Sequence, residues 1–166
     1  AYNQDISPGT FALPEGVVVI DEAARKKAEP LLDEAVQLYE KEQYAEALAL
    51  LQRVCDEYPG LHDEVASAHL VRGHCYRALG QHEEAINAYR EGIDKVLEGG
   101  IQRPRFLLAV AYVSIGRTHM ELGQNAEALE AFEACVRECE GAAEPEKWFR
   151  EEALEQIEKL RKPRTN

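Results

Sequence analysis

QYAEALALL (Gln43–Leu51), QHEEAINAY (Gln81–Tyr89) and QNAEALEAF (Gln124–Phe132) are three versions of one phrase, each with an alanine at the same place: Ala47, Ala85 and Ala128. Each copy follows an amphipathic helical stretch. In the second and third copies that stretch carries a glycine, Gly73 in RGHCYRALG and Gly116 in IGRTHMELG. The three alanines are 38 and 43 residues apart. A repeat of about forty residues marks a helical solenoid, in which no unit can bury its own apolar face and stacked neighbours do so jointly. An all-α fold is therefore expected.

Glycine inside a helix costs roughly 1 kcal/mol relative to alanine, so Gly73 and Gly116 imply a close approach between helices. Tyr76 and His119 follow them by one turn, and Tyr89 and Phe132 follow Ala85 and Ala128. The first copy has Ala35, Leu38, Ala47 and Leu51 in these places and is the weakest. This pattern resembles the tetratricopeptide repeat, a helix-turn-helix unit of about 34 residues. The resemblance spans about Glu29 to Glu140. It implies a right-handed α-solenoid of three hairpins, at about 29–59, 63–98 and 103–141, with a capping helix at about 145–162 and a short tail at 163–166. The longer spacing here is read as lengthened helices, with GGIQRP (Gly99–Pro104) as an extended turn between the second and third hairpins.

With 166 residues and 45% hydrophobic content, the chain is long enough for one continuous core. Its formal charge of −12 repels both a phosphate backbone and an anionic membrane surface, which argues against nucleic acid as a partner. The longest apolar run, Phe106 to Val113, has eight residues, against the ~20 of a membrane span. It reads as a helix buried between two neighbours, and no direct membrane insertion is expected.

The chain opens on Ala1 with AYNQDISPGTFALPEGVVVI, broken by Pro8, Gly9, Pro14 and Gly16. This irregular arm (1–20) fits a mature chain left after removal of a targeting peptide, in an organelle such as the thylakoid lumen or mitochondrion, or a cytoplasmic chain trimmed at its end. Phe11, Leu13, Val17 and Val19 are its candidate contact residues, toward either the solenoid or another chain. Asp21 is a plausible N-cap for DEAARKKAEP, and Pro30 predicts a kink or a fresh helix start. At the other end Trp148, Phe149, Ala153, Ile157 and Leu160 recur at helical spacing opposite a charged face, as a terminal capping helix requires.

Catalytic, cofactor and metal sites are not expected. Cys55, Cys75, Cys135 and Cys139 show no CxxC spacing, and Cys135 and Cys139, one turn apart, suit small apolar slots better than a disulfide. His69 and His119 fall on the packing stripe, which suggests hydrogen-bonded core imidazoles, and His74 falls on another. No nucleophile is paired with a base by spacing, and no glycine-rich loop follows a strand.

The surface that remains is the inner one, which in solenoids of this family is lined by the first helix of each hairpin. Phased from Gly73 and Gly116, it comprises Leu32, Val36 and Tyr39; Leu70, His74 and Arg77; and Val113, Arg117 and Met120 with Glu121. Such a trough suits a peptide with apolar anchors and an acidic group. The family's chaperone-binding members clamp a terminal carboxylate with lysines and asparagines on these helices. At the matching places stand Leu32, Val36, Val71, Val110 and Ser114, which cannot make that clamp. The resemblance implies a non-catalytic protein–protein interaction scaffold, an accessory or assembly subunit of a larger complex. The alternative is a free cytosolic adaptor that binds short peptides transiently.

Overall fold

The computed structural model describes residues 21–99 and 101–162, which form seven α-helices. These are α1 (Glu22–Glu40), α2 (Tyr44–Glu57), α3 (His62–Ala78), α4 (His82–Leu97), α5 (Pro104–Glu121), α6 (Asn125–Glu138) and α7 (Glu146–Arg161). Successive helices pair as three antiparallel hairpins with α7 covering the last. The arm residues Phe11, Leu13, Val17 and Val19, and the tail, lie outside the described residues.

Local chemistry accounts for the helix ends. Asp21 caps α1, its Oδ1 accepting from the backbone N–H groups of Ala23 and Ala24 at 3.0 Å each. Pro30 does not restart the helix: α1 runs through it. Pro30 and Lys26, one turn earlier, are both exposed, so water can meet the carbonyl that the proline ring leaves unbonded. All three hairpin turns close with one backbone bond of 2.9 Å, from the N–H of Gln43, Gln81 and Gln124 to the carbonyl of Leu38, Tyr76 and His119. That geometry needs a left-handed residue just before the glutamine. Gly80 and Gly123 supply it at φ 75° and 71°, whereas the first turn forces Glu42 to φ 60°.

Gly73 and Gly116 are buried because aromatic rings lie against them. A Cβ on Gly116 would stand 2.7 Å from Phe132 Cε1 and Cζ, and one on Gly73 would overlap the Tyr89 ring. Both rings are fully buried, as are Ala47, Ala85 and Ala128. The first hairpin has Ala35 and Leu51 in the corresponding places, both buried in one cluster.

Each apolar cluster straddles two units. Ala35, Ala47 and Leu51 pack with Ala68 and Cys75 of α3; Tyr89 and Ile93 with Leu108 and Ile115 of α5; Phe132 and Cys135 with Ala153 and Ile157 of α7. Stacking therefore completes every core. The five extra residues between Ala85 and Ala128 are divided, two to α4, one to α5 and two to the connection 98–103. On the capping helix, Ala153 and Ile157 are buried and Phe149 and Leu160 pack beside them. Trp148 departs from the expected stripe, being 51% exposed.

Candidate partner-binding groove

Helix contacts identify the inner wall. Besides touching their neighbours in sequence, α1 meets α3, α3 meets α5 and α5 meets α7, while α2, α4 and α6 meet only the helices next to them in the chain. The odd helices thus close ranks and the even ones splay, which curves the stack with α1, α3, α5 and α7 on its concave side. The residues expected to line that side differ in how much surface they present. Val36 is 38% exposed, and Leu32, Tyr39, His74, Arg77 and Met120 are half-buried. Arg117 and Glu121 are exposed. Leu70 and Val113 correct the expectation: at 4% and 2% exposure they belong to the inter-helix cores beneath the groove. A row at the i, i+4, i+7 positions reaches the core wherever the two flanking helices close over it, as they do at the centre of the stack.

The floor of the groove is polar at mid-length. Tyr89 of α4 passes over Gly73, and its hydroxyl shares a 2.8 Å hydrogen bond with His74 Nδ1 on α3. The His74 ring also stands 6.3 Å from that of Tyr39. Burial, reinforced by Arg77 and Arg117, lowers the His74 pKa to about 4, so the imidazole is neutral at pH 7. The same burial pushes the Tyr89 phenol upward. The arginines do not wait for a ligand. Arg77 Nη1 donates to Glu121 Oε1 at 3.1 Å, and Arg117 Nε to Glu152 Oε1 of the capping helix at 2.8 Å. An acidic ligand group would have to displace one of these carboxylates, a requirement that sequence phase alone could not reveal.

Toward the N-terminal ends of α1, α3 and α5 the groove deepens into a cleft of about 310 Å³, lined by Arg25, Glu29, Glu64, Ser67, Arg103 and Phe106 among others. Arg25 Nε donates to Glu64 Oε1 at 2.5 Å, and Asp63 Oδ1 accepts the Gln102 backbone N–H at 3.1 Å. Arg103 lies over the Phe106 ring, 4.4 Å from its centroid, and Phe106 meets Phe149 edge-on at 5.8 Å. The expected rows begin at Leu32, Leu70 and Val113, one turn short of this end. One further turn back along the stripe reaches Glu29 and Ser67, and two reach Arg25 and Asp63.

Outside the groove one constellation has the outline of a nucleophile and its base. Cys55 Sγ lies 3.8 Å from His69 Nε2, and His69 Nδ1 stands 3.0 Å from Glu91 Oε2. Residues 55, 69 and 91 come from α2, α3 and α4, so no spacing in the chain announces them. Burial raises the Cys55 pKa and lowers that of His69, which leaves thiol and imidazole uncharged. All four cysteines are free, and burial pushes Cys75 up to about 11. His119 is a core imidazole, 2.6 Å from Gln124 Oε1. Among the described residues no three His, Cys, Asp or Glu side chains gather closely enough to hold a metal ion, and no helix is long and apolar enough to cross a membrane.

The geometry agrees with comparison to known proteins. The fold is similar to that of the type III secretion translocator chaperone SycD of Yersinia enterocolitica, with a TM-score of 0.68 and 20% identity over 84% of this chain and 96% of that one. It is also similar to PcrH of Pseudomonas aeruginosa, at 0.66 and 18% over 86% and 95%. A tetratricopeptide-like protein of Chlorobium tepidum gives 0.64 and 20% over 83% and 96%. PcrH has been solved with the chaperone-binding region of PopD, and SycD with a peptide of YopD. At these identities the likeness is one of fold. No curated protein matches the sequence. Tetratricopeptide repeat models match residues 27–96 and 109–140, which between them take in all three hairpins, and the chain belongs to the tetratricopeptide repeat family.

Proposed function

We propose that this protein is an interaction scaffold that holds an extended or helical segment of a partner protein in its concave groove, as an accessory or assembly subunit of a larger complex. The observation that carries the reading is the apolar strip of α1, with Val36 38% exposed and Leu32 and Tyr39 half-buried beside it, on the wall that curvature turns inward. An apolar side chain seated there gains about 1.5–3 kcal/mol when fully buried, enough for a few anchors to hold a short segment. That SycD and PcrH hold translocator segments supports the reading by analogy of fold. Because Arg77 and Arg117 are engaged by Glu121 and Glu152, selectivity is assigned to apolar anchors rather than to an acidic group.

Selection from a random peptide library on the purified protein tests this. Enriched peptides should carry two or more apolar anchors. Val36→Glu should weaken them at least about tenfold while leaving the thermal melt unchanged. Peptides that bind the Val36→Glu protein as tightly as the parent would place the interaction surface elsewhere.

A further inference from the structure

The cleft at the N-terminal end of the groove has a carboxylate oxygen without a hydrogen-bond partner among the described residues. Arg25 is divided between Glu64 Oε1, at 2.5 Å, and Asp63 Oδ2, at 3.9 Å, and Arg103 is spent on the face of Phe106. Glu29, which lines the same cleft, is exposed. Glu64 Oε2 has no hydrogen-bond partner among the described residues, although the Glu64 side chain is only 8% exposed. A buried carboxylate oxygen without a hydrogen bond is costly even where its twin is paired, and a charged N–H donor brought to it offsets that cost.

We propose that this end of the groove receives a basic side chain, the lysine or arginine of a bound partner segment, with Glu64 Oε2 as its buried acceptor and Asp63 and Glu29 as flanking charges. The inference rests on the groove reading for the placement of that segment. Phe106 offers an apolar wall for the aliphatic stem, as long cationic side chains require. The chain's charge of −12 draws such a ligand from a distance. Residues 1–20 contain no lysine, arginine or histidine, so that segment does not supply the group. The two ends of the groove would then read different features of one partner: apolar anchors over Leu32, Val36 and Tyr39, and a cation one to two turns nearer the helix N-termini.

Titration of the full ¹⁵N-labelled chain with N-acetyl-arginine methylamide tests the proposal, with the neutral citrulline analogue as control. The amides of Ser67, Gln102 and Phe106 should shift saturably with the arginine probe and less at raised salt. The citrulline probe should bind at least about tenfold more weakly. Glu64→Gln, which preserves shape, should weaken the arginine probe by about tenfold. Because that change also touches the bond to Arg25, the exposed Glu29→Gln provides a second variant, expected to weaken it by about twofold to threefold. Equal shifts with citrulline, shifts scattered over the acidic surface, or unchanged affinity in both variants would overturn the proposal. A protein that selects no apolar peptides yet shows these localised shifts would refute the groove reading alone, while selected peptides with no arginine effect would refute this site alone.

Discussion

Where the second and third hairpins set a glycine beneath an aromatic ring, Gly73 under Tyr89 and Gly116 under Phe132, the first sets Ala35 against Leu51. Where they turn on Gly80 and Gly123, the first turns on Glu42 in the same left-handed conformation. The same hairpin geometry is thus reached with two sets of volumes, a missing Cβ offsetting a larger ring. The inner faces differ as well. On α3 and α5 the exposed positions are polar and largely paired within the chain, through His74 with Tyr89, Arg77 with Glu121 and Arg117 with Glu152. On α1 the same stripe is apolar, Leu32, Val36 and Tyr39, with Val36 exposed and the other two half-buried. The hairpin with the weakest repeat signal is therefore the one whose inner stripe is apolar at all three positions.

The most damaging way to break the comparison is to add volume where it is missing. Gly116→Leu places a branched side chain inside the Phe132 ring and should cost at least about 3 kcal/mol, the upper part of the overpacking range, as read by urea melts. Leu51→Phe in the first hairpin should cost about 2 kcal/mol alone, and Ala35→Gly should recover part of it, giving a favourable coupling of about 1 kcal/mol. If the double variant were merely additive, the exchange of volume between these two positions would be refuted.

A pH series sharpens the difference in polarity. His74 titrates near 4 when folded, against about 6.5 in an unfolded chain. Above pH 6.5 the imidazole is neutral in both states and contributes no pH dependence. As the pH falls from 6.5 to 4, only the unfolded chain takes up the proton, so stability drops by as much as about 3 kcal/mol across that window. His69, whose pKa is also lowered, adds in the same direction. His74→Gln keeps a partner for the Tyr89 hydroxyl and should flatten the His74 share of the slope in urea melts between pH 7 and 4. An unchanged slope would mean that the groove floor does not hold His74 neutral. The smallest effect belongs to the turn: Glu42→Gly should stabilise the protein by about 0.5–1 kcal/mol by relieving the left-handed conformation. A loss of stability there would show that Glu42 contributes a contact outweighing its backbone strain.

The repeat and its glycines were legible because close packing leaves a mark at fixed spacing, and Gly73 and Gly116 stand where Tyr89 and Phe132 require them. The inner stripe was legible as a phase, yet phase does not tell depth. Leu70 and Val113 share the stripe with Val36 and are buried, because their helices are flanked on both sides. Nor does phase tell pairing: the partner of Arg117 lies on α7, and that of Arg77 one hairpin away. Cys55, His69 and Glu91 meet across three helices, a proximity created only by stacking. Pro30 was read as an interruption from its chemistry, but its exposed position lets the helix continue.

The central claim, that the concave wall is where a partner is held, is most directly tested by site-specific photocrosslinking. Benzoylphenylalanine would replace Val36 on the inner wall or Leu97, 69% exposed at the end of outer helix α4, in the full chain expressed in its source organism. The account predicts an adduct at position 36 that maps by mass spectrometry to one segment of a partner, and none at 97. Adducts at 97 with none at 36 would contradict it.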